Sequence, residues 1–260
     1  MSKNAAAQKQ KRLERLSGIL SVLTANQLFW LEKVINIFHL PTQHECFNSD
    51  LFNSSTLDGF GDALRIHHAF SIEPFSKDKF EYVLEQVLKS REIEASLAVR
   101  GNRGHDITIN RERFSLKTQA DKNIKLNEIW ISKFMELGQG QWGDVPSDLK
   151  GLRTAFLKHL AQYDRILSLR ALSKAPDWHY ELVEIPKALF EAAKTGELKM
   201  MTDSRQFPKP GYCFVRDPKT NALLYKLYFD GGGERKLQVK NLRKNLCHVH
   251  ASWKFSIPKI

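Results

Sequence analysis

Cysteine is scarce in this chain. Its 260 residues include three, Cys46, Cys213 and Cys247. They are odd in number and far apart, so neither a disulfide framework nor a CxxC zinc knuckle can be built from them. That usage suits a reducing compartment, and the cytoplasm is the expected setting. Long apolar runs are missing as well, with nothing near the roughly 18 residues a membrane span needs. The polar start, Met1-Ser2-Lys3-Asn4, lacks the apolar core of a secretory signal. P-loop, GxSxG and GxGxxG motifs do not occur, nor do internal repeats or low-complexity segments.

What the chain does have is apolar content, at 42%, and positive charge, at a net +11. The first allows a sizeable core and argues against global disorder. The second is unevenly placed. Residues 1–18 carry five Lys/Arg against one Glu, and residues 205–260 carry twelve against three acids. The middle is left slightly acidic. Basic charge gathered at the two ends points to a polyanionic partner.

The pattern of apolar residues sketches the elements. Residues 5–18 read as a basic helix or tail. Asn26 to Phe38 reads as a helix, with Leu28, Leu31, Val34, Ile35 and Phe38 at i+3/i+4 spacing and Pro41 ending it. Residues 41–62 read as loop, being rich in Asn, Ser, Asp and Gly. Ser76 can cap a helix running to about Ser90, with Phe80, Val83, Leu84, Val87 and Leu88 on its apolar face. The period then changes to two. In His105–Asn110, Asp106 and Thr108 share one side, and Ile107 and Ile109 the other. In Arg113–Gln119, Phe114, Leu116 and Thr118 oppose Ser115, Lys117 and Gln119. A hairpin through Asn110-Arg111-Glu112 joins the two. A third strand over 127–134, a long helix over 147–169 and a strand over 178–185 follow. Pro186 then opens a short helix. The last fifty residues read as strands, at 212–215, 223–229, 237–240 and 247–255. The order implies a mixed α/β fold, with residues 19–260 as a single domain behind the basic segment 1–18.

The polar face of the hairpin offers chemistry. Asp106 starts one strand and Lys117 lies on its neighbour, on a face shared with Ser115 and Gln119. With apolar residues behind, the polar face is expected to remain open to a ligand. A carboxylate can hold Mg²⁺, which prefers hard oxygen donors, and a lysine beside it can orient a water and offset developing charge.

Two stretches of this hairpin, Gly104-His105-Asp106-Ile107-Thr108-Ile109 and Leu116-Lys117-Thr118-Gln119-Ala120-Asp121, resemble the catalytic core of the PD-(D/E)XK nucleases, and within them Type II restriction endonucleases. Phe60-Gly61-Asp62, Leu182-Val183-Glu184-Ile185-Pro186-Lys187 and the long run Leu227 to Lys240 carry the same resemblance, which covers roughly residues 60–253. It implies a restriction-endonuclease-like central mixed β-sheet flanked by helices, with a strand-rich C-terminal part. The catalytic core would span about 76–190 and the DNA-reading part about 200–260. It also implies Mg²⁺ as cofactor, double-stranded DNA as substrate, a GC-rich palindrome such as CCCGGG, and a companion DNA methyltransferase that protects the host. Asp106 matches the family's metal-binding aspartate and Lys117 its lysine. Ser115 stands where the family has a second acid. The family sometimes moves that acid to a neighbouring helix, and Glu81, in line with Leu84 and Leu88, is the first candidate. Glu85 lies one turn on, and the amide oxygen of Gln119 is a further candidate ligand.

The C-terminal basic run, Arg235, Lys236, Lys240, Arg243 and Lys244 with Gln238 among them, suits DNA. Such residues neutralise phosphates, and Arg or Lys can pair with guanine while Gln suits adenine. Lys209, between two prolines, is a further DNA-contact candidate, whereas Lys244 reads as a phosphate contact alone. Gly231-Gly232-Gly233 allows either close approach to DNA or a plain turn. A palindrome mirrors a two-fold axis, so a homodimer is expected, with the 147–169 helix as the candidate interface. Cys247-His248-Val249-His250 offers metal-type side chains, but alternation splits them between faces and no second cluster completes a zinc site. The rival reading is a catalytically inactive, sequence-specific DNA-binding protein derived from a nuclease. An RNA-binding role is permitted by charge but unsupported by any stacking aromatics of an RNA platform.

Overall fold

The computed structural model describes residues 3–99, 101–102, 104–138 and 142–258. The first part runs α1 (Lys3–Leu20), α2 (Ala25–His39), β1 (Thr42–Cys46), α3 (Ser54–His68), α4 (Lys77–Lys89) and β2 (Ala95–Leu97). The middle holds β3 (Ile107–Ile109), β4 (Glu112–Gln119), β5 (Glu128–Glu136), α5 (Asp148–Leu160), β6 (Arg165–Ser173), β7 (Asp177–Glu184) and α6 (Lys187–Glu191). Then come β8 (Glu197–Met200), β9 (Gly211–Arg216), β10 (Leu223–Phe229), β11 (Lys236–Arg243) and β12 (His248–Ser256).

Local chemistry sets several of these boundaries. Ser76 accepts a hydrogen bond from the Lys79 N–H and so starts α4 where the sequence suggests. Thr24 and Gln27 form a reciprocal capping box at α2. Asn110 and Arg111 take φ of 47° and 72°, the left-handed pair that a two-residue turn between β3 and β4 requires.

The strands form two sheets. The larger has seven, in the order β1-β12-β7-β6-β4-β3-β2, with β4 and β6 parallel and every other pair antiparallel. The smaller has five, in the order β5-β11-β10-β9-β8, all antiparallel. Helices α3 and α4 cover one face of the large sheet, burying Phe60, Leu64, Phe80 and Leu84 against Phe114, Leu116, Leu182 and Trp253. The other face sends Ile166 and Val183 into a second core, which α5 and the small sheet complete through Phe156, Leu227, Leu237 and Val239. The result is a mixed α/β fold: a central mixed sheet flanked by helices, with a strand-rich C-terminal part, as in restriction endonucleases. The segments interleave, for β5 joins the small sheet and β12 returns to the large one. No helix among the described residues is long and apolar enough to cross a membrane.

Three expectations need correction, and the apolar stripe of α2 turns out to face outward. Residues 41–62 are not loop throughout: they contain β1 and the start of α3. Asn53 caps that helix with Thr56 in a reciprocal box, and Leu57 and Phe60 bury its face. Nor does one helix fill 147–169. It ends at Leu160, and β6 begins at Arg165, buried on both faces between the two cores. A strand buried on both sides is apolar without alternation, so periodicity cannot separate it from helix. Leu149, Phe156 and Leu160 turn the inner face of α5 into the core. The apolar stripe of α2 does not serve the core, since Leu28, Ile35 and Phe38 are exposed and only Ile37 is buried. Finally, the polar face of β4 is not open. It lies under α5 and the small sheet, and Ser115, Lys117 and Gln119 are all buried.

Candidate active site

Asp106 stands one residue before β3. The register that sets Ile107 opposite Phe114 carries on to place Asp106 opposite Ser115. Lys117, two residues further along β4, shares that face. The aspartate is gripped on one side. Its Oδ2 accepts from the Leu116 N–H at 2.6 Å and from Ser115 Oγ at 3.3 Å. Its Oδ1 faces α4, where Lys77 Nζ stands at 2.6 Å from it and at 3.0 Å from Glu81 Oε1. Lys77 and Glu81 lie one turn apart on that helix, so the Ser76 cap that sets its first residue also sets both groups against Asp106. One ammonium thus bridges two carboxylates that are 14% and 19% exposed.

The electrostatics follow from burial. Lys117 lies with its ammonium over the Phe134 ring, 5.0 Å from the centroid. Burial pulls its pKa down from 10.5 to about 8, against the attraction of Asp106 and with the help of Lys77. Burial would lower Lys77 too, but Asp106 and Glu81 outweigh it and hold that ammonium above its ordinary value. Burial raises the pKa of Glu81, and its bond to Lys77 offsets this only in part. On α5, His159 is pushed down to about 4 by burial and by Lys117, so it is neutral at physiological pH.

Lys77, Asp106, Lys117 and His159 line one cleft of about 600 Å³, which Phe134 and Lys158 also bound. It continues past Lys117 to Thr118, Ser132 and Lys133, along the seam between β4 and β5. Two carboxylate oxygens meeting at one cation are a hard-oxygen donor set, and the place Lys77 Nζ occupies fits a divalent metal ion. The arrangement can therefore hold a cation, position a lysine that gives up its proton more readily than a free one, and admit a polyanion along the seam.

Asp106, Lys117 and Glu81 are thus brought together, and Ser115 supports Asp106 instead of serving as an acid. Two other candidates stand apart. Gln119 opens toward a different groove, and its Oε1 accepts from Arg170 Nε at 2.9 Å. Glu85 accepts from Lys89 and the Leu97 N–H. Lys77 and His159 escaped the sequence reading. The Lys77–Glu81 spacing was a signal that could have been used, whereas nothing in the sequence aims His159 at Asp106.

The DNA-contact candidates divide in the same way. The Arg235 carbonyl accepts from the Leu137 N–H at 2.7 Å, and Lys236 pairs in register with Glu136, so both sit at the strand end that borders the cleft. Arg235 makes no side-chain hydrogen bond or ion pair with a described residue, while Lys236 pairs with Glu234 at 2.8 Å. Gln238 is buried and donates to Asp230. Lys240 lies 3.9 Å from the centroid of the Tyr228 ring and lines the groove beside Gln119. The ammonium of Lys209 is tied to the Ser204 carbonyl, and Lys244 pairs with Glu181. Gly231 packs on the Pro208 carbonyl, where a Cβ would stand at 1.9 Å, so its bareness serves an internal contact.

A second cluster, Asp50, Glu184 and His250, could in composition hold a metal. Arg165 already fills it, ion-paired with both acids. Arg165 also lies over Phe114, on the sheet face opposite Lys117. The cluster reads as a structural charge centre.

Comparisons with known proteins agree with this geometry. The SmaI family, described as a Type II site-specific deoxyribonuclease, matches residues 4–255. The Type II restriction enzyme SmaI of Serratia marcescens is 42% identical over 235 residues, 90% of this chain and 91% of that protein. No solved structure matches the chain. A match along nearly the whole length, with Asp106 and Lys117 gathered in one cleft, places this chain in the SmaI family of Type II site-specific deoxyribonucleases.

Proposed function

We propose that the protein cuts double-stranded DNA in a Mg²⁺-dependent reaction, as a homodimer, at a GC-rich palindrome for which CCCGGG is the leading candidate. The observation that carries the chemistry is the bridge between Asp106 and Glu81 beside the buried Lys117. Asp106 and Glu81 would hold the metal in place of Lys77. Bound there, Mg²⁺ would supply the positive charge that polarises the scissile phosphate.

The chain's own groups perform the rest. Leu116 N–H and Ser115 fix one oxygen of Asp106 and leave the other to face the cation. With its pKa lowered to about 8, Lys117 has a deprotonated fraction that grows as pH rises toward 8, and that free amine can accept a proton from the attacking water at Nζ. Lys133 and Lys158 line the cleft and would meet flanking phosphates. Arg235 is the best-placed reader of a guanine edge, at the cleft border and with no side-chain hydrogen bond or ion pair to a described residue, and Lys236 stands beside it. Lys240, Lys209 and Gln238 are already engaged within the protein and would act as supports for that surface. A palindrome calls for two copies of the site related by a two-fold axis, which is the argument for the homodimer. The cytoplasm and a companion methyltransferase belong to the same reading.

The test is a plasmid digest with the purified protein and Mg²⁺. Discrete fragments with ends inside CCCGGG are expected, lost on Asp106→Ala or Lys117→Ala while DNA binding persists. Binding without cutting by the natural chain would favour the inactive DNA-binding reading.

A further inference from the structure

Helix α1 has 18 residues and its described side chains are all exposed. A helix whose described side chains are all exposed gains little from packing within its own chain, and most helical stability comes from packing an amphipathic face. Its apolar residues Leu13, Leu16 and Leu20 form one stripe at i, i+3 and i+7. The outward stripe of α2, with Leu28, Ile35 and Phe38, repeats the pattern. Its residues are 38–43% exposed, although their spacing is that of a core face. Between Leu13 and Phe38, ten large apolar residues are exposed. With full side-chain areas on the order of 200 Å², they leave on the order of 1,000 Å² of apolar surface in water. Summed over both helices, this exceeds the roughly 800 Å² that a stable interface takes from each partner.

From this we infer that α1 and the outward face of α2 form the two-fold interface, docking on the same helices of a second copy. The inference rests on the homodimer proposed above and names its contact surface. A second copy suits the surface because an isologous interface is self-complementary, and the exposed apolar stripe of each helix can pack against its symmetry mate. An anionic membrane would suit α1, with its five Lys/Arg against one Glu, but not the α2 half of the surface. The charges of α2 are Glu32 and Lys33, which cancel, and Lys33 is drawn over the Trp30 and Phe70 rings instead of forming a basic rim.

The test is sedimentation velocity of the full chain, alone and with a duplex carrying CCCGGG. The variants are Leu16→Glu/Leu20→Glu and Leu28→Glu/Ile35→Glu, with Val99→Glu as control. All five positions are exposed, so each variant should fold, which circular dichroism and an unchanged melting temperature would check. A dimeric natural chain and control, with dissociation constants at least about 100-fold weaker in the two double variants, are expected. A dimer that both double variants leave intact would overturn this interface and spare the homodimer. A natural chain that is monomeric with and without DNA would overturn the homodimer, and the interface with it.

Discussion

Replacing Lys117 by methionine should make the protein more stable while removing its activity. The side chain is 8% exposed, and its pKa falls from 10.5 to about 8 because burial disfavours the ammonium more than Asp106 and Glu81 favour it. At about 1.4 kcal/mol per pH unit, that gap means that keeping the charge in the fold costs about 3 kcal/mol at pH 7. The sign follows from proton counting. Between pH 8 and 10.5 the unfolded chain keeps a proton on Lys117 that the folded chain releases, so stability rises with pH across that window. Below about 8 both states are protonated and the full cost applies. Methionine keeps the unbranched stem and its contact with Phe134 without the charge. Denaturant unfolding of the natural chain and Lys117→Met, at pH 7 and pH 10, reads the difference, and other titrating groups cancel. The variant should be more stable by about 3 kcal/mol at pH 7 and by about 1 kcal/mol or less at pH 10. A variant no more stable than the natural chain at pH 7 would refute the claim that this ammonium is held at a cost, and with it the lowered pKa on which its role as a base depends.

Further outcomes follow from the same geometry. Glu81→Gln should lower the cleavage rate by roughly 100-fold or more at limiting Mg²⁺, with partial recovery as Mg²⁺ is raised in the assay. Removing the competing ammonium by Lys77→Met should tighten Mn²⁺ binding by about tenfold in calorimetry, about 1.4 kcal/mol. Arg170→Ala should cost about 3–5 kcal/mol in a denaturant melt, because Arg170 is fully buried, pairs with Glu181 and donates to the carbonyls of Lys125 and Glu128. Arg235→Ala should weaken binding to CCCGGG by about 1–3 kcal/mol relative to a mismatched duplex, read by competition binding; equal weakening of both would make Arg235 a phosphate contact.

The sequence by itself determined what rests on local rules. Ser76 as a cap, the two-residue turn at Asn110-Arg111 and the period-two strands of the hairpin depend on groups a few residues apart. Their geometry needs no tertiary context. Hence Asp106 and Lys117 could be placed on one face, whereas Glu81 as a second acid rests on the family resemblance. Tertiary structure decided the rest, because burial and long-range pairing leave no trace in neighbouring residues. β6, buried on both faces, looks like helix until the two sheets close over it. Lys77 becomes a bridge only when α4 meets the strand before β3. Gln119, Gln238 and Lys209 read as free polar groups until partners distant in sequence engage Gln119 and Gln238, and the Ser204 carbonyl holds Lys209. The stripe on α2 has the spacing of a core face, yet the fold turns it outward, since periodicity shows that a face seeks a partner and cannot say which chain supplies it.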